Sequence, residues 1–213
     1  MGSFLDRLAK HNYWHGEVIE SGFPRRGYLD KLEEFSGNRL AKVLVGQRRT
    51  GKSYLLKQWI RELIAHGVPA RNILYMNKEH LDIAELTDQA QLHETIRDYL
   101  ENVAGTGKVY LLLDEIQEVD GWERVVASYA QDGRRECELT ITGSNSHMLS
   151  SELGTYLSGR HIPIPVFPFS FSEFVEAYAV QPDRSGLMTY LRRGGLPELL
   201  NLETDESRRH YVM

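Results

Sequence analysis

Short apolar runs alternate with helical repeats along most of this chain. Residues 40–45 (LAKVLV), 73–77 (ILYMN), 109–113 (VYLLL), 138–142 (ELTIT) and 161–166 (HIPIPV) have the length and β-branched character of strands. Between the first two runs, residues 54–66 place apolar side chains at 55, 56, 59, 60, 63 and 64, one face of a helix stopped by Gly67 and Pro69. Residues 89–104 repeat that pattern through Leu92, Ile96, Tyr99, Leu100 and Val103. Asp120 with Glu123 predicts the start of a helix carrying Trp122, Val125, Val126 and Tyr129, and Ser170 with Glu173 predicts a second capping box. Strands alternating with helices are the pattern of an α/β fold built on a parallel sheet.

With 213 residues, 41% of them hydrophobic, the chain can bury one substantial core plus a small appendage. The expected organisation is an amino-terminal segment at 1–29, an α/β core at 30–168, and partial helical lid material at 169–213. Prolines 163, 165 and 168 mark an edge strand and its exit. The ending, ETDESRRHYVM, opens a helix and stops after one apolar patch, so a truncated or shortened chain lacking a carboxyl-terminal domain is the expectation.

Charge and cysteine usage narrow the function classes. A formal net charge of −5 argues against a broad nucleic-acid surface, although a local patch stays open at Arg134 with Arg135 or Arg192 with Arg193. A single cysteine, Cys137, rules out an internal disulfide and a Cys-rich zinc site, and His11 with His15 lacks a carboxylate at metal spacing. No secretory signal or long apolar run is present, which sets the expectation of a cytoplasmic protein with no membrane association.

Chemistry enters at Gly46 to Ser53, GQRRTGKS, between the first predicted strand and the first predicted helix. This is a Walker A phosphate loop in its proper setting. The backbone of Gly46, Gln47, Arg48, Arg49, Thr50 and Gly51 would cradle phosphates, Lys52 would reach the β and γ oxygens, and Ser53 would bind Mg²⁺. The GTGK at 105–108 shows the bland alternative, a solvated loop with Val109 where the hydroxyl belongs. Downstream, VYLLLDEIQ delivers Asp114 and Glu115 at a strand's carboxyl end, the arrangement of Walker B, with Asp114 on the metal and Glu115 as general base. The strand at 138–142 leads to Ser144, Asn145 and Ser146, where Asn145 is placed to contact the γ phosphate or orient water. A serine cap for the next helix explains the same letters.

Taken in order, GQRRTGKS, LLLDEIQ, TGSNS, LSSELGTYLSGR and PFSFSEF resemble the prokaryotic AAA+ ATPases whose ATPase domain precedes a carboxyl-terminal domain of unknown function. The resemblance runs from about Arg25 to Glu198. It implies a P-loop NTPase core of the additional-strand class with sheet order 5-1-4-3-2, and ATP as the nucleotide. It also implies an arginine finger at Arg160, in SGR, acting in cis or in trans, and a polar contact to the catalytic glutamate from Asn77. Arg25 and Arg26 resemble a segment lining the adenine pocket, so the segment 1–29 is expected to line the nucleotide pocket, and GGLPE at 194–198 resembles a lid element that brings Pro197 near the base or phosphates. A solvated arginine pair and a simple inter-helix turn are the respective alternatives.

The expected function is therefore Mg²⁺-dependent hydrolysis of ATP to ADP and phosphate, coupled to a conformational switch of a partner or of the missing domain. Glu115, Lys52, Asn145 and Arg160 would carry the chemistry. A slow-turnover, nucleotide-gated interaction module is one rival, and a P-loop kinase is another. Homo-oligomerisation, the protein partner and any nucleic acid are left open by the sequence.

Overall fold

The structure is a computed structural model that describes residues 4–16, 20–131, 136–144, 156–202 and 204–212. Five strands, β1 (Ala41–Val45), β2 (Ile73–Asn77), β3 (Val109–Asp114), β4 (Cys137–Gly143) and β5 (His161–Pro165), form one sheet. All pairings are parallel and the order is β2-β3-β4-β1-β5. This is the 5-1-4-3-2 order expected from the sequence, counted from the opposite edge. Asn77 lies opposite Asp114, and Val45 lies opposite Gly143, so the carboxyl ends of the strands meet along one rim.

Helices cover both faces because the strands alternate two apolar surfaces. Leu44, Tyr75 and Leu112 pack with Leu29 and Leu32 of α2 (Arg26–Glu34) and with Leu55, Trp59 and Ile60 of α3 (Lys52–Ala65). On the other face Val43, Val45, Leu111 and Leu113 pack with Leu8 of α1 (Phe4–Ala9), Leu92 and Ile96 of α4 (Gln89–Asn102), and Trp122 and Val126 of α5 (Trp122–Gln131). A capping box from Asp88 and Gln91 fixes the start of α4.

The two sheet edges are protected differently. At β5, Pro163 and Pro165 face outward and remove two edge donors. At β2 the side-chain amide of Asn12 acts as a substitute strand, donating to the Tyr75 carbonyl at 3.0 Å and accepting from the Tyr75 amide at 2.7 Å. Trp14 adds an indole bond to the Ile73 carbonyl at 2.8 Å. The beginning of the chain therefore packs along the β2 edge, and of the described residues before 30 only Gly22, Phe23 and Arg25 border the rim cavity described below.

After β5 come α6 (Phe171–Tyr178), α7 (Arg184–Arg193), a 3-10 turn at Pro197–Asn201, and α8 (Asp205–Val212). The capping box read from Ser170 and Glu173 is present at the start of α6. Arg25 ties these helices to the core. Its guanidinium donates to Glu173 Oε1 at 2.6 Å and Oε2 at 3.0 Å, and to the carbonyls of Thr50, Phe167 and Pro168. Those bonds match the five donors of an arginine, so the side chain joins phosphate loop, β5 exit and lid helix in one fork. Burial by itself would raise the Glu173 carboxyl, but the hydrogen bonds from Arg25 and Ser170 outweigh it and hold the group below its ordinary range.

A second buried ionic cluster lies at the amino-terminal end of the sheet. Glu138 accepts from Lys42 Nζ at 2.7 Å, Ser36 Oγ at 2.6 Å, the Gly37 amide at 3.1 Å, and Lys108 Nζ. Burial alone would push its carboxyl up, yet the donors from Lys108, Lys42 and Ser36 win and hold it at about 2. The side chains of Lys42 and Glu138 are 1% and 4% exposed, so removing one partner strands a buried charge.

Two outcomes follow from these clusters. Glu138→Gln should lower stability by about 3 kcal/mol in chemical denaturation at neutral pH, as expected for breaking a buried pair. Because the folded carboxyl sits below its unfolded value, wild type should lose that contribution as pH falls from about 4.5 towards about 2, and the variant should lack this part of the acid transition. Arg25→Met should release the lid, which proteolysis or hydrogen exchange at α6 would register as faster opening while the sheet stays protected.

Candidate nucleotide site

The site is built on the turn from β1 into α3. Gly46 must lack a side chain, because a Cβ there would come within 2.2 Å of the Val166 carbonyl oxygen. The loop also requires the left-handed region at Gly51, with φ 90, where the backbone turns into the helix. Thr50 closes the loop on itself by donating to the Gln47 carbonyl at 2.9 Å. Lys52, only 4% exposed, folds back over the loop, its ammonium 3.1 Å from both the Gly46 and the Gln47 carbonyl oxygens.

From the neighbouring rim β3 supplies the carboxylates. Glu115 adopts φ 52 and ψ 43, a left-handed conformation that costs an ordinary residue about 1–2 kcal/mol. That turn brings its carboxylate towards Lys52, at 3.6 Å. Its other oxygen accepts from Gln117 Nε2 at 2.5 Å. Asp114 is 1% exposed and sits behind it, receiving hydrogen bonds from Thr142 Oγ1 at 2.5 Å and Tyr75 OH at 2.9 Å. Burial raises the Asp114 carboxyl, while hydrogen bonds from Thr142, Ser53 and Tyr75 oppose the rise. Among the described residues its side chain thus hydrogen-bonds two hydroxyls, with the Ser53 hydroxyl of the first turn of α3 also lowering its carboxyl. A divalent cation fits this donor set, since a hydroxyl and a carboxylate are hard oxygen ligands and the cation would supply the positive charge that burial makes the carboxylate need.

A cavity of about 400 Å³ opens on this rim, within the range of ligand sites. Of the residues proposed from sequence, Arg25, Arg48, Arg49, Gly51, Lys52, Ser53, Glu115 and Pro197 border it. Pro197 is placed there by the turn before it: a Cβ on Gly195 would meet the Phe169 carbonyl oxygen at 2.6 Å, and Phe169 N donates to the Gly195 carbonyl at 2.6 Å. That packing sets the Pro197 ring against Gly51 of the phosphate loop. Arg48 pairs with Glu79 at 3.1 Å near the surface, and Arg49 donates to the Tyr211 carbonyl at 2.6 Å with its guanidinium 4.4 Å from the Tyr211 ring.

Several sequence expectations change in the fold. Arg25 borders the cavity but its donors are engaged by protein groups, and Arg26 is an exposed partner of Glu62. Asn77 accepts from the Glu79 amide at 2.8 Å and donates to Tyr75 OH at 3.4 Å, while the Glu115 carboxylate contacts Lys52 and Gln117 instead. Arg160 lies at the amino-terminal end of the sheet, its carbonyl accepting from the Ala41 amide at 3.0 Å. The length of β1, roughly 3.3 Å per residue, puts about 16 Å between that end and the phosphate loop, so Arg160 lies away from its own chain's phosphate loop. With the Gln131 amide oriented oxygen towards the guanidinium, Nη1 and Nε of Arg160 lie 2.5 and 3.0 Å from it. Asn145, Ser146, Arg134 and Arg135 lie outside the described residues.

Other groups at the site were not read from the sequence. Thr142 holds both acidic positions, donating to Asp114 and accepting from the Glu115 amide at 2.9 Å. Gln58, on an otherwise apolar face of α3, donates to the Ser21 and Phe23 carbonyls at 2.7 Å each and accepts from the Arg25 amide at 3.0 Å. Its polarity among Leu55, Trp59 and Leu63 is the signal that could have found it.

Comparison with known proteins agrees with this geometry. The family model described as AAA domain matches residues 38–175. An uncharacterised protein of Haemophilus influenzae is 36% identical over 181 residues, covering 83% of this chain and 44% of that protein. An uncharacterised protein of Methanocaldococcus jannaschii is 28% identical over 182 residues, with 80% and 38% covered. The chain therefore spans less than half the length of these curated relatives. Among solved structures, Aeropyrum pernix Orc1 in complex with DNA aligns with TM-score 0.59 at 14% identity, covering 94% of this chain and 68% of that one. Thermotoga maritima RuvB, a Holliday junction branch migration motor, aligns at 0.54 and 18% identity, with 84% and 59% covered. DnaA of Aquifex aeolicus bound to AMPPCP aligns at 0.53 and 15% identity, with 96% and 65% covered. At such identities the structural likeness speaks for the fold, and the family model, which spans more than half of the chain, settles the membership. The chain belongs to the AAA domain family, the AAA+ P-loop ATPases.

Proposed function

We propose that this chain binds ATP with Mg²⁺ and hydrolyses it to ADP and phosphate. The observation that supports this reading best is the meeting of Lys52 and Glu115 at one cavity, brought there from β1–α3 and the end of β3, with Asp114 buried next to Glu115 in the chain. Lys52 would leave the Gly46 and Gln47 carbonyls to neutralise phosphate oxygens, with the backbone of residues 46–51 cradling them. Ser53 and Asp114 would hold the metal, which when bound neutralises charge developing on the phosphates. Glu115 would accept a proton from the attacking water once Lys52 is drawn to the phosphates. Asn145 keeps its proposed role of orienting that water. Pro197 and the fork of Arg25 would carry the state of the phosphate loop into the lid, where a partner or a further domain reads it.

A nucleotide-gated module with slow turnover is favoured by one feature, the resting pairing of Glu115 with Lys52, which holds the base against the phosphate lysine. Release of phosphate separates the two readings, and a phosphotransfer screen separates both from a kinase. Wild type should show Mg²⁺-dependent phosphate release, and Glu115→Gln should cut it by roughly 100-fold or more while ATP still binds. Equal release by wild type and Glu115→Gln would remove Glu115 from the base role. If Arg160 completes a neighbouring chain's site, activity per chain should rise with protein concentration, and Arg160→Ala should abolish that rise.

A further inference from the structure

We propose that Gln117 is the positioning residue for Glu115, an inference that rests on the hydrolysis reading above. The Glu115 carboxylate is held from two sides. One oxygen faces the Lys52 ammonium at 3.6 Å, and the other accepts from the Gln117 amide at 2.5 Å. In ATP-bound protein the phosphates compete for Lys52, and Gln117 is then the side chain that keeps the carboxylate in place.

Several observations support this assignment. Gln117 sits in the 3-10 turn Ile116–Glu118, which follows the left-handed Glu115 directly, so the two side chains converge through the same backbone turn. A carboxylate accepts only from a donor, which fixes the amide with Nε2 towards Glu115. The same nitrogen reaches Ser144 Oγ at 3.5 Å, at the carboxyl end of β4, so Gln117 spans the ends of β3 and β4 beside the cavity rim. Its carbonyl oxygen is buried with no hydrogen-bond partner among the described residues. A buried, unpaired amide oxygen is unfavourable, and its retention here is accounted for by the bond its nitrogen makes to Glu115. Asn77, the side chain expected beside Glu115, is instead engaged with Tyr75 and Glu79.

The test uses Gln117→Met, which keeps the chain length and removes the donor, and Gln117→Leu as a second variant. ATP affinity, ADP affinity, turnover, and affinity for ADP with aluminium fluoride as transition-state mimic are measured, with thermal melting as the check of folding. The expected result is turnover lower by about 10- to 100-fold, the scale of a lost hydrogen bond to a charged group, with ATP and ADP affinities within about threefold of wild type. Affinity for the mimic should fall alongside turnover. Unchanged turnover and mimic affinity in folded variants would overturn the assignment while leaving the hydrolysis reading intact. An equal fall in ATP affinity and turnover would show a general structural role and would also overturn it. Absence of turnover in wild type would overturn the hydrolysis reading, and this assignment with it.

Discussion

The organising constraint is the buried ammonium of Lys52. A cation with so little exposure needs compensating charge and acceptors, and the fold supplies two loop carbonyls and the Glu115 carboxylate. Everything else at the rim follows from holding those groups together. Gly46 brings the loop under the β5 exit, the left-handed turn at Glu115 aims its carboxylate across the sheet, and Thr142 fixes the backbone on which that turn depends. Nucleotide phosphates would exchange one set of negative partners for another at the same ammonium, which links binding to release of Glu115.

The two ends of the sheet divide the work. At the amino-terminal end Glu138 collects Lys42, Lys108 and Ser36 into a satisfied ionic cluster, a stabilising arrangement remote from the cavity. At the carboxyl-terminal end Asp114 has hydroxyl partners, and burial pushes its carboxyl up. The contrast is physical: one carboxylate already has its cations, and the other, paired with hydroxyls, is the one proposed to take a metal ion. No helix among the described residues is long and apolar enough to cross a membrane.

The fold and the phosphate loop were legible in the sequence because both are written in local pattern. Apolar runs gave the strands, 3.6-residue periodicity gave α3 and α4, and GQRRTGKS needs only its own glycines, lysine and hydroxyl in order. What was not legible depends on distant pairs. Arg25 meets Glu173 across 148 positions, and Thr142 meets Asp114 across 28, contacts that only the sheet order and lid path create. Arg160 was placed by motif, and the β1–β5 register then moved it to the end of the sheet away from its own phosphate loop. The resemblance implied that Asn77 contacts Glu115, but the left-handed turn at Glu115 brings its carboxylate to Lys52 and Gln117.

The most direct test of the central claim is a comparison of ATP and AMP binding by wild type and Lys52→Ala. If the buried ammonium is a phosphate site, wild type binds ATP at least tenfold more tightly than AMP, and Lys52→Ala loses most of that difference, on the order of the 1.5–3 kcal/mol of a charged hydrogen bond. Equal affinity of wild type for ATP and AMP, or a preference for ATP that survives in Lys52→Ala, would contradict the account.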